Sequence, residues 1–291
     1  MSSCCVSANL KEAIRHLDTL PAVPEIARKI LALNLESDKD ELAMLKLIEK
    51  DPQITAKIIG LANTPLFGTS KRIVSVMDAA LLLGITRVKS VTMGIAVMSA
   101  LVGKSKTTLD IQGLWLHSLS ISMAMRTISH AMPRNARPSG DEILLAGLLH
   151  DIGYLVLHHL DPERSDELQA CLKQDITRSS IQIESELLDM NHSELGAELA
   201  RLWDLPDCIV TVLRYHHDPD NEDADMAQPL LRMINLAEKI LVDFGISEAV
   251  VETASPEDWL SLGIDPTQTE ELIEKIFKQA EEVKQSAGNF L

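Results

Sequence analysis

Aromatic residues are scarce in this chain of 291 residues, only 3% of the total, while Leu, Ala and Met recur throughout a hydrophobic fraction of 46%. Strands favour aromatic and β-branched side chains and helices favour unbranched ones, so this shortage points to an all-α protein built as a multi-helix bundle. The cysteines, Cys4, Cys5, Cys171 and Cys208, show neither CxxC spacing nor the framework of a small disulfide-stapled domain. They read as reduced thiols of a cytoplasmic protein. No run of about eighteen apolar residues occurs, and the N-terminus MSSCCVSANLKEAI has no basic stretch leading into an apolar one. Membrane anchoring and export are therefore not expected. Positive charge is also thin, with 27 Lys and Arg against 43 Asp and Glu and a net charge of -16. The basic residues are scattered singly, which removes the footprint that nucleic acid or an anionic membrane would need. A GxSxG elbow, a Walker A loop and a dinucleotide-binding glycine fingerprint are all missing.

What the chain does contain is a series of helix signals. A short amphipathic helix is expected from Leu10 to Leu17, followed by the LPAVP connector and a helix that starts near Pro24. Leu42, Leu45 and Ile48 recur at helical spacing, and Asp51-Pro52 pairs an N-cap with proline at the first helical position. The turn cluster from Asn63 to Gly68 closes that helix, Ser75 and Asp78 form a capping signal, and Gly84 is a natural stop. Thr86 to Val102 is a longer apolar helix whose Arg87 and Lys89 oppose the helix dipole and are expected to face water or a partner. A polar stretch from Gly103 to Gln112 marks a boundary, dividing an N-terminal helical subdomain (1–106) from a second subdomain (107–291). Pro133 to Asp141 reads as a loop, Asp161 to Asp189 as charged and amphipathic, and His217 to Gln228 as an acidic, solvated and mobile loop. Leu230 to Phe244 and Thr269 to Ala287 close the chain as helices.

The most unusual stretch is AGLLHDIGYL, Ala146 to Leu155. Every residue from Ile143 to Leu149 is apolar or glycine, so a helix there is hydrophobic all round and buried, with His150 and Asp151 at its inner end. Burying such groups uncompensated costs several kcal/mol by an order-of-magnitude estimate. Hydrogen bonding to the backbone is one compensation; a divalent metal is the other, because imidazole and carboxylate suit Fe, Mn and Zn. Further ligands in similar apolar settings favour the metal: His117 in LWLHSLSISMAM, His192 in DMNHSELGAELARLW, and His216-His217 in IVTVLRYHHD. His217 is the outlier, since two adjacent residues on a helix face different directions. His16, His130, His158 and His159 are read as surface or loop residues.

A histidine, then GLLHDIG, a later histidine, a His-His pair and the acidic residue of Ala237-Glu238 together resemble the HD superfamily of metal-dependent phosphohydrolases. LPAVPEIARKILAL, LIEKDPQITAKIIGLANTPLFG, DAALLLGITRVKSV and LGAELARLWDLPDCIVTVLRYHH bring the resemblance closer to its HDOD group, the HD-related output domains, over roughly Leu20 to Leu241. That resemblance implies metal ligation by His117, His150, Asp151, His192, His216, His217 and Glu238. It also implies one or two divalent transition-metal ions, with Asp151 between them and catalytic if the chain is an enzyme. The chain departs from the HD-GYP phosphodiesterases, which have a lysine after HDIG where Tyr154 stands, a GYP triplet after the His-His pair, and a glutamate where Gly113 stands. Glu238 is also one methylene longer than the family's usual final aspartate. Cyclic dinucleotide hydrolysis is not expected. The resemblance implies a bacterial signal-transduction output protein of the response-regulator kind, with a protein partner or a nucleotide-like ligand and its input on another module. A hydrolase of phosphomonoesters or nucleotides is the alternative.

Overall fold

The computed structural model describes residues 21–33, 37–64, 72–102, 107–175, 177–241 and 253–285. Among these residues every regular element is a helix. In the first part α1 (Glu25–Leu31), α2 (Asp38–Glu49), α3 (Pro52–Ala62) and α4 (Val76–Leu83) lead to α5 (Ile85–Leu101). Local chemistry sets these boundaries as expected. The Asp51 carboxylate accepts hydrogen bonds from the N-H groups of Gln53 and Ile54, 3.0 Å each, and Gly84 turns the chain between α4 and α5 at φ +89°. The helix expected from Leu10 to Leu17 lies outside the described residues, as do Cys4, Cys5, His16 and Gly103 to Lys106 of the expected boundary. Cys171 and Cys208 are free thiols.

The second part is built on α6 (Ile111–Ala131), which packs against α7 (Gly140–Leu149). It continues through α8 (Ile152–Leu160), α9 (Pro162–Gln174), α10 (Ser180–Leu188), α11 (His192–Leu202), α12 (Asp207–Tyr215) and α13 (Leu230–Ile240), then α14 (Pro256–Ser261) and α15 (Glu270–Gln285). Helix α5 packs on α1, α3 and α4 and also on α7 and α8, so one apolar core runs from Ala27 to Val283. Ile143 to Leu149 are all buried. No single helix among the described residues is long and apolar enough to cross a membrane.

Two sequence expectations change. His158 is not a surface residue: α8 is buried from Ile152 through His158 because it is covered along its length by α9 and α11. The acidic segment from His217 to Gln228 is ordered as well, winding into a 3-10 helix, Glu222–Ala227, whose Ala224 and Ala227 are buried against the bundle.

The approach of α8 to α11 requires glycine. A β-carbon on Gly153 would lie 1.8 Å from the backbone oxygen of His192, and rigid backbone cannot yield as a flexible side chain can. Gly153→Ala is therefore expected to destabilise the protein by more than the about 1–3 kcal/mol typical of overpacking, measured by urea denaturation. A loss below 1 kcal/mol would show that this helix contact is loose.

Candidate metal centre

The buried helix α7 ends where its polar groups begin. His150 is its C-terminal cap and Asp151 the N-cap of α8, so the break between two apolar helices projects both side chains inward. His117 comes from the buried stripe of α6, and His192 is the first residue of α11, held there by a capping box between Asn191 and Glu194. His216 caps α12, and Glu238 lies in the last turn of α13. All seven side chains singled out from the sequence converge. His117, His150, Asp151, His192 and His216 are no more than 3% exposed, while His217 and Glu238 are half-buried. His217 joins them because α12 ends at Tyr215, so both members of the His-His pair turn inward from the following turn.

Asp151 divides the cluster. Its Oδ2 faces the Nε2 atoms of His150 and His117 at 3.1 and 3.4 Å, and Glu238 Oε1 lies 3.1 Å from each of the same two nitrogens. Its Oδ1 faces the Nε2 atoms of His192 and His216 at 3.4 and 3.6 Å. His217 Nε2 is 3.0 Å from His192 Nε2. Two groups of ligand-type atoms result, one of His117, His150 and Glu238 and one of Asp151, His192, His216 and His217, each with its atoms within 4.8 Å of one another.

The far side of each ring fixes its tautomer. His150 Nδ1 and His216 Nδ1 each lie 2.9 Å from a backbone oxygen, of Gly147 and Leu213, which only a protonated Nδ1 can satisfy. His192 Nδ1 donates to the Glu184 carboxylate at 2.8 Å, and that carboxylate also accepts from the His192 N-H at 2.7 Å and the Tyr154 hydroxyl at 2.8 Å. Tyr154 stacks on the His192 ring with centroids 4.3 Å apart. In neutral rings the inner Nε2 atoms are then lone pairs directed at one another, 3.2 Å apart for His192 and His216. The His150 Nε2 and Asp151 Oδ1 atoms are buried without a hydrogen-bond partner. This donor set fits a divalent metal.

Sequence reading missed Glu184. It lies in the stretch read only as charged and amphipathic, and is fully buried. The signal was present: Ser180, Ile183, Glu184, Leu187 and Leu188 follow the core-facing spacing of a helix. It also missed the cations beside the centre. A cavity of about 200 Å³ is lined by His217, Arg232, Asn235 and Lys239. Arg232 pairs with Asp220 at 2.8 Å and Lys239 with Asp258 at 2.9 Å.

Residues 20–219 match the HDOD domain family. A protein of Treponema pallidum (strain Nichols), of uncharacterized role, is 25% identical over 72% of this chain and 40% of its own length. A crystal structure from Marinobacter aquaeolei VT8, of a protein provisionally assigned to signal transduction, superposes with a TM-score of 0.79 and 24% identity over 97% of this chain and 61% of its own. One from Shewanella amazonensis SB2B, provisionally assigned as a phosphohydrolase, gives a TM-score of 0.73 and 22% identity over 98% and 99%. The chain thus spans less than two thirds of the first two proteins, and the two crystal structures share its fold.

The clustered charges set a pH signature for the metal-free protein. Burial pushes the His150 and His117 imidazoles down, but Asp151 and Glu238 beside them outweigh it and raise both above the usual 6.5, His150 well above. Burial pushes the carboxyls up, but His150, His216 and His192 hold Asp151, and His117 and His150 hold Glu238, well below the usual range. Burial and the neighbouring His217 lower His216 to about 3. The raised imidazoles contribute stability that is complete below pH 6.5 and is lost as pH rises through their folded values. The depressed carboxyls and His216 weaken the fold as pH falls, the carboxyls below about 4 and His216 from about 6.5 downward. Thermal unfolding of chelator-treated protein is expected to show greatest stability near pH 6.5, with the decline above it reduced in His150→Gln. A wild-type profile that keeps rising to pH 8 would contradict these charge assignments.

Proposed function

The chain belongs to the HDOD family, and from that premise we propose that it is a signalling protein whose histidine centre holds two divalent transition-metal ions and hydrolyses a phosphate ester. The observation that carries this reading is the position of Asp151, which offers one oxygen to each group of ligands. A shared carboxylate is the means by which two-metal hydrolases set their ions close together. His117, His150 and Glu238 would hold one ion, His192, His216 and His217 the other, with Asp151 common to both. Imidazole and carboxylate without thiolate select Fe, Mn or Zn and do not choose among them. Bound there, such ions supply Lewis acidity toward a phosphoryl oxygen and a nucleophile drawn from water.

The chain's own residues do the remainder. Glu184, Gly147 O and Leu213 O keep the imidazoles in the ligating tautomer. The cavity beside His217, lined by Arg232, Asn235 and Lys239 together with Asp220 and Asp258, would be the entry for phosphoryl oxygens. These cations occupy the role of the lysine that Tyr154 displaces; Tyr154 instead braces Glu184 and His192. The assignments of the Marinobacter and Shewanella proteins to signalling and to phosphoester hydrolysis agree with this reading.

A second reading has one observation in its favour: Arg232 and Lys239 are already paired with Asp220 and Asp258, which weakens their pull on a substrate. The centre would then be a structural clasp, and the protein an output domain that relays its state to a protein partner without turnover.

Protein purified without chelator is expected to carry about two metal ions per chain, by the ligand count of a shared-carboxylate site, and His150→Ala to carry fewer. Against a panel of phosphomonoesters and nucleotides with Mn, Fe or Zn, turnover is expected in the wild type and a loss of at least about a hundredfold in Asp151→Asn. Full metal content without turnover selects the structural clasp. Metal well below one ion per chain would mean that hydrogen bonds alone hold the cluster.

A further inference from the structure

Among the described residues positive charge also collects away from the histidine centre. A cavity of about 270 Å³ opens between α5, α6 and α15, lined by Arg87, Arg126, Thr127, His130, Lys275 and Gln279, and among the described residues no carboxylate lines it. Three lining residues are Lys or Arg, in a protein where acidic residues outnumber Lys and Arg by 43 to 27. Among the described residues neither Arg126 nor Lys275 has an acidic partner. The contrast with the cavity beside His217 is sharp, because both cations there are neutralised by aspartates.

The local electrostatics agree with positive charge at Arg126 and Lys275 that no described carboxylate offsets. Burial lowers the half-buried Arg126 guanidinium. Burial also lowers the His130 imidazole, and the positive charges of Arg126, Arg137 and Lys275 lower it further. A half-buried guanidinium with a second positive charge beside it costs free energy that an anion would recover. The neutral residues suit the same ligand: Thr127 donates its hydroxyl hydrogen to Gln279 Oε1 at 2.8 Å, which leaves the Gln279 amide N-H2 as the donor end.

We propose that this cavity is a binding site for a small phosphate-bearing anion, separate from the histidine centre. A guanidinium, an ammonium and an amide donor around one opening form the hydrogen-bonding set that a phosphate dianion takes. Its volume falls just under the range of about 300–1,000 Å³ usual for small-molecule pockets, which suits inorganic phosphate or a phosphate on a small substituent and not a dinucleotide. Arg126 follows His117 by nine residues on α6, two and a half helical turns, so the two side chains leave opposite faces about 13 Å apart along the axis. An anion in the cavity would therefore tie α5 and α15 to the helix that also carries a residue of the histidine centre.

The test uses the full chain after chelation, so that a metal cannot recruit the anion. Sodium phosphate is compared with sodium chloride at equal ionic strength. Phosphate is expected to raise the Tm and, by NMR titration, to raise the pKa of His130, whose neighbours' charge it offsets. Lys275 is exposed, so Lys275→Glu is expected to fold normally and to weaken phosphate binding by about tenfold or more. Arg126→Gln should act in the same direction, while His150→Ala should leave phosphate binding unchanged. A small phosphomonoester that behaves as inorganic phosphate does would extend the site to phosphorylated compounds. Phosphate binding that survives both charge substitutions, an unmoved His130 titration, or binding of an acidic peptide in place of phosphate would overturn the proposal.

Discussion

Seven ionisable side chains, six of them histidine or aspartate, meet in an interior that is otherwise Leu, Ile, Ala and Met. Keeping them there is the constraint that shapes the surrounding fold. The inner nitrogens of His150, His192 and His216 are directed by outer hydrogen bonds, and each outer partner is fixed by a helix end or a buried side chain: Gly147 O and Leu213 O at the ends of α7 and α12, Glu184 in the core-facing row of α10. Helix termini carry this architecture because their carbonyls lack partners within the helix. His150, Asp151, His192 and His216 all lie at such ends.

The same constraint accounts for the glycines. Gly147 meets the Ser122 backbone of α6, where a β-carbon would lie 2.7 Å from its Cα, and Gly153 meets His192. These two contacts draw α6, α7, α8 and α11 close enough for His117, Asp151 and His192 to reach one another. The glycine of the HDIG stretch is thus a packing requirement of the centre and takes no part in its chemistry.

Charge is distributed with a similar division of roles. The surface is strongly acidic, the histidine centre balances its carboxylates internally, and the cations beside it are held by Asp220 and Asp258. Against this pattern Arg126 of α6 and Lys275 of α15 stand out, neither with an acidic partner among the described residues. Neither cation cluster showed in the linear sequence, where basic residues look scattered. Arg87, Arg126 and Lys275 are separated by 39 and 149 positions and meet only through the packing of α5, α6 and α15.

Much of the fold and the members of the centre were legible because their signals are local. Apolar periodicity, the Asp51-Pro52 cap and the Gly84 stop mark helices without reference to distant residues, and an apolar run interrupted by His150-Asp151 marks a buried polar pair. Other features depended on what covers what. His158 looked like a surface residue and Glu184 was not singled out within its amphipathic stretch, yet α9 and α11 enclose the first, and the second turns into the core beneath Tyr154. The acidic segment after His217 looked mobile until Ala224 and Ala227 found the bundle. The sequence by itself determined an all-helical chain and a set of histidines and carboxylates in apolar surroundings. Only the tertiary structure decided that Asp151 faces both groups, that His217 joins His216, and that Glu238 reaches His117 across 121 residues. Helix propensity and burial are written in neighbouring residues, whereas the convergence of side chains is fixed by how separate helices pack.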